Sequence, residues 1–319
     1  MKTRRAFLVA PGKFEVREID LDAPASGHVL VKVAACGLCN SELGLWTGLW
    51  GSPPQSAGHE WSGTVLEVGE GVTALVPGDK ITVLPEWAPG VGFSDYAIMP
   101  ARHCFKFAPH VPMEEALGEP LKCVVTVLRL TRPEAGDIGL VLGCGPMGLW
   151  TLQGLARSPL ESLIAVDVSA DKLALAQRYG ATDVINPREE KLAERVRDIT
   201  GGRMADFVVE GTGIPAVLND AVDVLRGKGR LLVMGFPEEK GKEFDWRMVC
   251  LKGLSIEAAH PAASTDEFDD MRRAVTLLNN GVFHMDGVIS HRFPLENIQG
   301  AFEALADKPA DFVKGIVVP

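Results

Sequence analysis

The chain has 319 residues, 46% of them hydrophobic and 23% charged, a composition that excludes disorder and fibrous repeats and leaves length for two ordinary domains. Forty-two acidic residues against 32 basic ones give a formal net charge of −10, so nothing draws the whole chain to nucleic acid or an anionic membrane, and no local basic patch stands out. No window comes near the ~18 uninterrupted apolar residues of a membrane span.

At the N-terminus the apolar run Phe7–Ala10 is too short for a signal-peptide core, and Lys13, Glu15 and Arg17 follow at once. The segment reads as a hairpin with Pro11-Gly12 at its turn. With no export signal, the six scattered cysteines (Cys36, Cys39, Cys104, Cys123, Cys144 and Cys250) are expected as reduced thiols or metal ligands in a cytoplasmic protein. His28–Ala35 and Gly63–Val68 have the β-branched content of strands, and Pro77-Gly78-Asp79 marks a turn before a strand at Ile81–Leu84. From Asp137 short apolar strands alternate with helical patterns, as in parallel βαβ units. Strands are expected at Ile138–Leu142, Ser162–Val168, Asp206–Glu210 and Arg230–Met234, with helices at Pro146–Arg157, Ala170–Tyr179 and Ala216–Leu225. After about Ala259 the alternation stops, leaving helices at Thr265–Asn279 and Leu295–Ala306 and a closing strand at Gly315–Val318. The expected class is α/β: a doubly wound parallel sheet over residues 121–259, inserted into a β-rich domain formed by 1–120 and 260–319.

Gly143-Cys144-Gly145-Pro146-Met147-Gly148 fits G-x-G-x-x-G, and it closes one expected strand and opens a helix, the context the dinucleotide fingerprint needs. Gly143 permits the tight turn, Gly145 lets backbone approach a pyrophosphate, and Gly148 lets helix and strand pack closely. The helix N-terminus presents free N–H groups to the phosphates. Asp167 ends the second strand, 19 residues beyond Gly148, where a carboxylate accepts both ribose hydroxyls of NAD and repels the 2′-phosphate of NADP. NAD is therefore favoured over NADP. The alternatives are a structural glycine turn and, for Asp167, a helix N-cap, a role that Ser169 or Asp171 serves better.

Cys36-Gly37-Leu38-Cys39, His59-Glu60 and Glu119 converge on a second chemistry. A thiolate, an imidazole and carboxylates suit a tetrahedral Zn²⁺ with one position open to water or substrate. Half a structural zinc knuckle is the competing reading of the cysteine pair, but no second C-x-x-C exists, and the βαβ setting of a redox C-x-x-C is absent.

The chain resembles the zinc-containing medium-chain dehydrogenase/reductase superfamily along essentially its whole length. The stretch from Gly58, GHEWSGTVLEVGEGV, is similar to that family's zinc motif, Val76–Ile81 to its next turn, and Glu210-Gly211-Thr212-Gly213 to its segment beside the nicotinamide. The resemblance implies a Rossmann domain beside a GroES-like catalytic domain. It makes Cys39, His59 and Glu119 ligands of one catalytic zinc, with Glu60 either a ligand or a support to the ligands, and leaves Cys36 a non-ligand. Ser41 falls on the hydroxyl that relays the substrate proton, so Ser41, Cys39, His59 and Glu60 form the implied catalytic set. Gly143, Gly145, Pro146, Met147, Gly148, Asp167, Lys172 and Gly211 form the cofactor-binding set. A Glu-Pro pair at 119–120 is typical of the polyol, sugar and threonine dehydrogenase branches. The chain departs from the family in two places: Glu42 replaces the usual aspartate, and Pro85–Phe93 carries none of the cysteines of a structural-zinc lobe. One zinc is therefore expected.

The implied activity is hydride transfer between NAD and a secondary alcohol or ketone, such as a polyol, sugar or cyclitol. Partners are limited to the small-molecule substrate and further copies of the chain in a dimer or tetramer. The competing classes are a zinc-free quinone or enone reductase, whose members generally lack the Cys/His/Glu set, and a non-enzymatic dinucleotide-binding protein. Trp46, Trp50 and Trp87 could line the pocket or could be packing. The remaining histidines fall on no zinc motif and are expected to be structural or exposed.

Overall fold

The computed structural model describes residues 1–49, 51, 53–85, 90–113, 116–236 and 243–319. Two units emerge from it: one of Met1–Lys122, Met271–Gly281 and Met285–Pro319, the other of Cys123–Asp270 and Val282–His284.

In the first unit, strands β1 (Lys2–Ala10) and β2 (Lys13–Asp20) form the expected antiparallel hairpin. Gly12 at its turn has φ +73°, a backbone state that a side chain disfavours. Strand β3 (His28–Gly37) is followed by the short helix α1 (Ser41–Trp46), and β4 (Gln55–Ser56) pairs back onto β1. Strand β5 runs Glu60–Val68, three residues earlier than its β-branched stretch suggested, because Glu60 pairs opposite Gly37 and extends the β3 ladder. Strands β6 (Lys80–Val83), β7 (Tyr96–Pro100) and β8 (Cys104–Lys106) complete the N-terminal part. Helix α2 (Gly118–Thr131) begins in this unit and ends in the second.

The second unit holds strands β9 (Ile138–Leu142), β10 (Ser162–Val166), β11 (Asp183–Ile185), β12 (Ala205–Glu210), β13 (Leu225–Val233) and β14 (Ser255–Ala258). They form one parallel sheet in the order β11-β10-β9-β12-β13-β14. Every residue of β9 is buried, and so is every residue of β12, and β9 accordingly reads as a short continuous apolar run. The strand order reverses between β9 and β12, the switch point at which such sheets bind ligands. Helices α3 (Pro146–Leu155), α4 (Ala170–Arg178), α5 (Leu192–Ile199), α6 (Val217–Val224) and α7 (Trp246–Lys252) accompany the strands.

The chain then returns to the first unit through α8 (Glu267–Asn279), β15 (Ile289–Pro294), α9 (Ile298–Asp307) and β16 (Lys314–Val318). The helix expected from Leu295 opens as a 3-10 turn over Leu295–Asn297. Strand β16 joins the N-terminal sheet, giving the order β15-β16-β3-β5-β6-β8 with β7 also paired to β3. Phe302 of α9 packs on Phe14, Trp46 and Phe93, so the C-terminal segment completes the core of this unit. Among the described residues no helix is long and apolar enough to cross a membrane.

Three carbonyls at the C-terminal end of α6 need donors that the helix cannot supply. Lys252 supplies them: its ammonium donates to the carbonyls of Val222, Asp223 and Leu225 at 2.8, 2.9 and 2.8 Å. Lys252→Met removes all three bonds and is expected to destabilise the protein by about 1–3 kcal/mol in urea unfolding.

Candidate functional site

The register of β3 against β5 builds the first site. Cys39 lies just past the end of β3 and His59 just before β5, with Gly37 directly opposite Glu60. A Cβ on Gly37 would lie 2.1 Å from Glu60 Oε2, so only glycine leaves room for that carboxylate. Ligand atoms of Cys39, His59 and Glu60 all lie within 4.8 Å of one another. The Ser41 hydroxyl donates to Cys39 Sγ at 3.2 Å and is itself exposed.

Negative charge is concentrated here. Glu42 Oε1 accepts from the Gly58 amide at 2.7 Å and faces His59 Nδ1 at 3.1 Å, while Glu42 Oε2 is buried with no hydrogen-bond partner. Burial works to neutralise His59, but the Glu42 carboxylate and the Cys39 sulfur outweigh it and hold the imidazole pKa well above its ordinary value. Glu60 is buried against Lys314, whose ammonium lies 2.5 Å from Oε2 and also donates to the Leu38 carbonyl at 2.9 Å. Burial alone would raise the Glu60 pKa, yet Lys314 and His59 bring it below the usual carboxylate value. A thiolate, an imidazole and a carboxylate converging in an electronegative setting fit Zn²⁺ better than the all-oxygen shells of Mg²⁺ or Ca²⁺. The Glu42 contact on His59 Nδ1 is the kind of carboxylate partner that orients a metal-binding imidazole.

The other expected residues divide around this cluster. Glu119, buried in the first turn of α2, is not among the donors that share the 4.8 Å group; it pairs with Lys122 at 3.3 Å. Burial, with Glu42 and Glu60 nearby, pushes the Cys36 thiol well up, so it stays neutral. Trp46 packs against Phe302, while Trp50 and Trp87 lie outside the described residues. His103 and His110 bond the Leu84 and Asn279 carbonyls, His260 accepts from the Ala262 amide, and His291 stacks on Phe312.

In the second unit the three fingerprint glycines differ in the space around them. Gly143 has φ +91°, and a Cβ there would sit 2.9 Å from Thr212 Cγ2. A Cβ on Gly148 would sit 1.9 Å from the Gly143 carbonyl oxygen. Gly145, the N-cap of α3, has nothing within 4 Å of that position, and Pro146 occupies the first helical turn. Asp167 fastens the turn: Oδ2 accepts from the Cys144 amide at 2.7 Å and Oδ1 from the Ser169 amide at 2.9 Å. Ser169 caps α4 by accepting from the Lys172 amide, and the Lys172 charge reaches the Cys144 thiol. The Met147 carbonyl accepts from Thr151 Oγ1, and the Gly211 amide donates to the Leu142 carbonyl at 2.8 Å.

Two residues of these sites have roles that sequence reasoning did not assign. Glu210, buried at the end of β12, accepts from the amides of Thr212 and Gly213 and from the Thr212 hydroxyl, shaping the turn beside Gly143. Burial raises its carboxyl pKa despite these donors. Its signal was an acid directly after the apolar run Phe207-Val208-Val209. Lys314 opens the apolar run of β16, and only its distant partner Glu60 explains its burial.

Comparison with known proteins places these features in a family. An alcohol dehydrogenase GroES-like domain matches residues 25–110, and a zinc-binding dehydrogenase domain matches residues 146–280. L-threonine 3-dehydrogenase of Thermococcus kodakarensis is 30% identical, over 96% of this chain and 93% of that protein. Erythritol/L-threitol dehydrogenase of Mycolicibacterium smegmatis is 28% identical, over 93% and 92%. Among solved structures, 2R,3R-butanediol dehydrogenase of Bacillus subtilis superposes with a TM-score of 0.86 at 26% identity, covering 99% of each chain.

The two glycines that differ in free space are expected to respond differently to a methyl group. Gly148→Ala forces backbone apart and should lose about 1–3 kcal/mol of stability in chemical unfolding. Gly145→Ala should leave stability unchanged and weaken binding of a reduced nicotinamide dinucleotide, followed by fluorescence, about tenfold.

Proposed function

The chain belongs to the zinc-containing medium-chain dehydrogenase/reductase superfamily, and on that footing we propose that it is a zinc-dependent, NAD-linked dehydrogenase of polar secondary alcohols such as polyols. The observation that carries this reading is the group of Cys39, His59 and Glu60 donors within 4.8 Å, with the Ser41 hydroxyl on the Cys39 sulfur. Threonine, erythritol and butanediol, named for the relatives, each hold a hydroxyl beside a carbon that bears a second nitrogen or oxygen. That shared chemistry supports a substrate with vicinal polar groups.

Cys39, His59 and Glu60 would hold the zinc, with Glu119 as a further candidate ligand. When bound, zinc supplies a Lewis acid that makes the alcohol hydroxyl more acidic, and the nicotinamide supplies the hydride acceptor. Glu42 keeps the His59 ring oriented, and Lys314 keeps the Glu60 carboxylate ionised and in place. Ser41 accepts the proton leaving the substrate hydroxyl and passes it to solvent, for which its exposure suits it. In the second unit, the amides at the start of α3 bind the pyrophosphate over the bare Gly145. Asp167 has acceptor capacity beyond its two backbone bonds and takes the ribose hydroxyls, its charge disfavouring a 2′-phosphate.

Purified protein should contain about one zinc per chain, in the three-ligand-plus-open-position form of catalytic sites. It should reduce NAD with a vicinal diol or a β-hydroxy amino acid, lose that activity to a chelator and regain it with zinc. Ser41→Ala should retain zinc while kcat falls by about 10²–10⁴. Protein without zinc that instead reduces quinones or enones with NADPH would overturn the proposal.

A further inference from the structure

Three turns at the carboxyl end of the parallel sheet meet around Glu210: residues 143–145 after β9, 211–213 after β12 and 234–236 after β13. The Glu210 carbonyl accepts from the Met234 and Gly235 amides at 2.8 and 2.9 Å. Its side-chain Oε1 accepts from the Thr212 amide at 2.5 Å, from the Gly213 amide at 3.2 Å and from the Thr212 hydroxyl. The turns also touch one another. A Cβ on Gly235 would lie 2.2 Å from the Gly213 nitrogen and 3.0 Å from Glu210 Oε2, and one on Gly143 would lie 2.9 Å from Thr212 Cγ2. Packed this closely, the turn at 211–213 cannot shift without moving its neighbours.

Strand β9 has β10 on one side, with Asp167 just past its end, and β12 and then β13 on the other. With the adenosine ribose on Asp167 and the pyrophosphate at the start of α3, a dinucleotide laid across the strand ends has the β12 and β13 side left for its nicotinamide half. The turns tied by Glu210 lie on that side. Glu210 itself is 1% exposed, so it acts on a ligand through those turns. Burial raises its carboxyl pKa against the pull of three donors, so its surroundings disfavour the charge, and a neutral carbonyl oxygen can accept the same bonds. We infer that Glu210 is a positioning residue for the nicotinamide half of the dinucleotide, acting as the hydrogen-bond acceptor that fixes the Thr212-Gly213 turn and not as a charge. This rests on the proposed dinucleotide site at α3.

The test compares, by titration calorimetry on the full chain, the binding of NADH with that of ADP, which lacks the nicotinamide half. Glu210→Leu keeps much of the volume and removes the acceptor. It should weaken NADH binding about tenfold and leave ADP binding unchanged. Glu210→Gln keeps an acceptor without the charge and should bind both as the parent does. Thr212→Ala removes the hydroxyl donor at little risk to the fold and should weaken NADH binding alone, about threefold. Three results would overturn the inference: NADH binding unchanged in Glu210→Leu and Thr212→Ala; equal losses for NADH and ADP, the mark of a general loosening of the unit; or a Glu210→Gln variant as weak for NADH as Glu210→Leu, which would make the charge the active property. If Glu210→Leu does not fold, Thr212→Ala and Glu210→Gln decide the matter, the first by its NADH-only loss and the second by parental binding. A parent chain that binds neither NADH nor ADP would instead remove the dinucleotide site itself, whatever Glu210 does.

Discussion

The ion pair between Glu60 and Lys314 is the interaction on which the first unit depends. It joins residues 254 positions apart, the first of β5 and the first of β16, and both are buried. Two buried charges carry a large desolvation cost, and an apolar pair of equal volume would often be as stable. Stability therefore does not explain its presence. What the pair accomplishes is to hold an ionised carboxylate within reach of Cys39 and His59, in a space that Gly37 keeps open. The closing of the sheet by the C-terminal strand and the assembly of the donor cluster are one event.

The second unit follows a related logic with different parts. Two carboxylates, Asp167 and Glu210, each gather backbone amides of a turn: Cys144 and Ser169 for one, Thr212 and Gly213 for the other. These turns flank Gly143, whose left-handed conformation only glycine adopts without strain. The amide-rich start of α3 is therefore set by the chain's own hydrogen bonds before any ligand arrives. Preorganisation of this kind lowers the ordering cost of binding.

The glycine fingerprint was legible because its chemistry is local: strand, turn and helix follow each other within a few residues, and Gly143 and Gly148 each have a near neighbour that a side chain would meet, while Gly145 faces open space. Cys39, His59 and Glu60 were legible as residue types, and the fold places their donors together. What stayed hidden is tertiary. A lysine opening the run Lys314–Val318 looks like an exposed strand end until Glu60 is seen beside it. The start of α2 carries Glu119 and Lys122 one helical turn apart, and most of the helix that holds them is buried. Short strands such as β11 and β14 went unread for another reason. Asp183–Ile185 and Ser255–Ala258 carry too few apolar residues to signal a strand, and their place is set by the neighbours they extend.

The central claim is that Cys39, His59 and Glu60 hold a zinc ion. Anomalous X-ray diffraction from crystals grown with zinc, recorded on either side of the zinc absorption edge, tests it most directly. The account predicts one strong peak within bonding distance of Cys39 Sγ and His59, and its disappearance in Cys39→Ser crystals. A chain that binds no zinc under these conditions, or binds it only away from these residues, would contradict it.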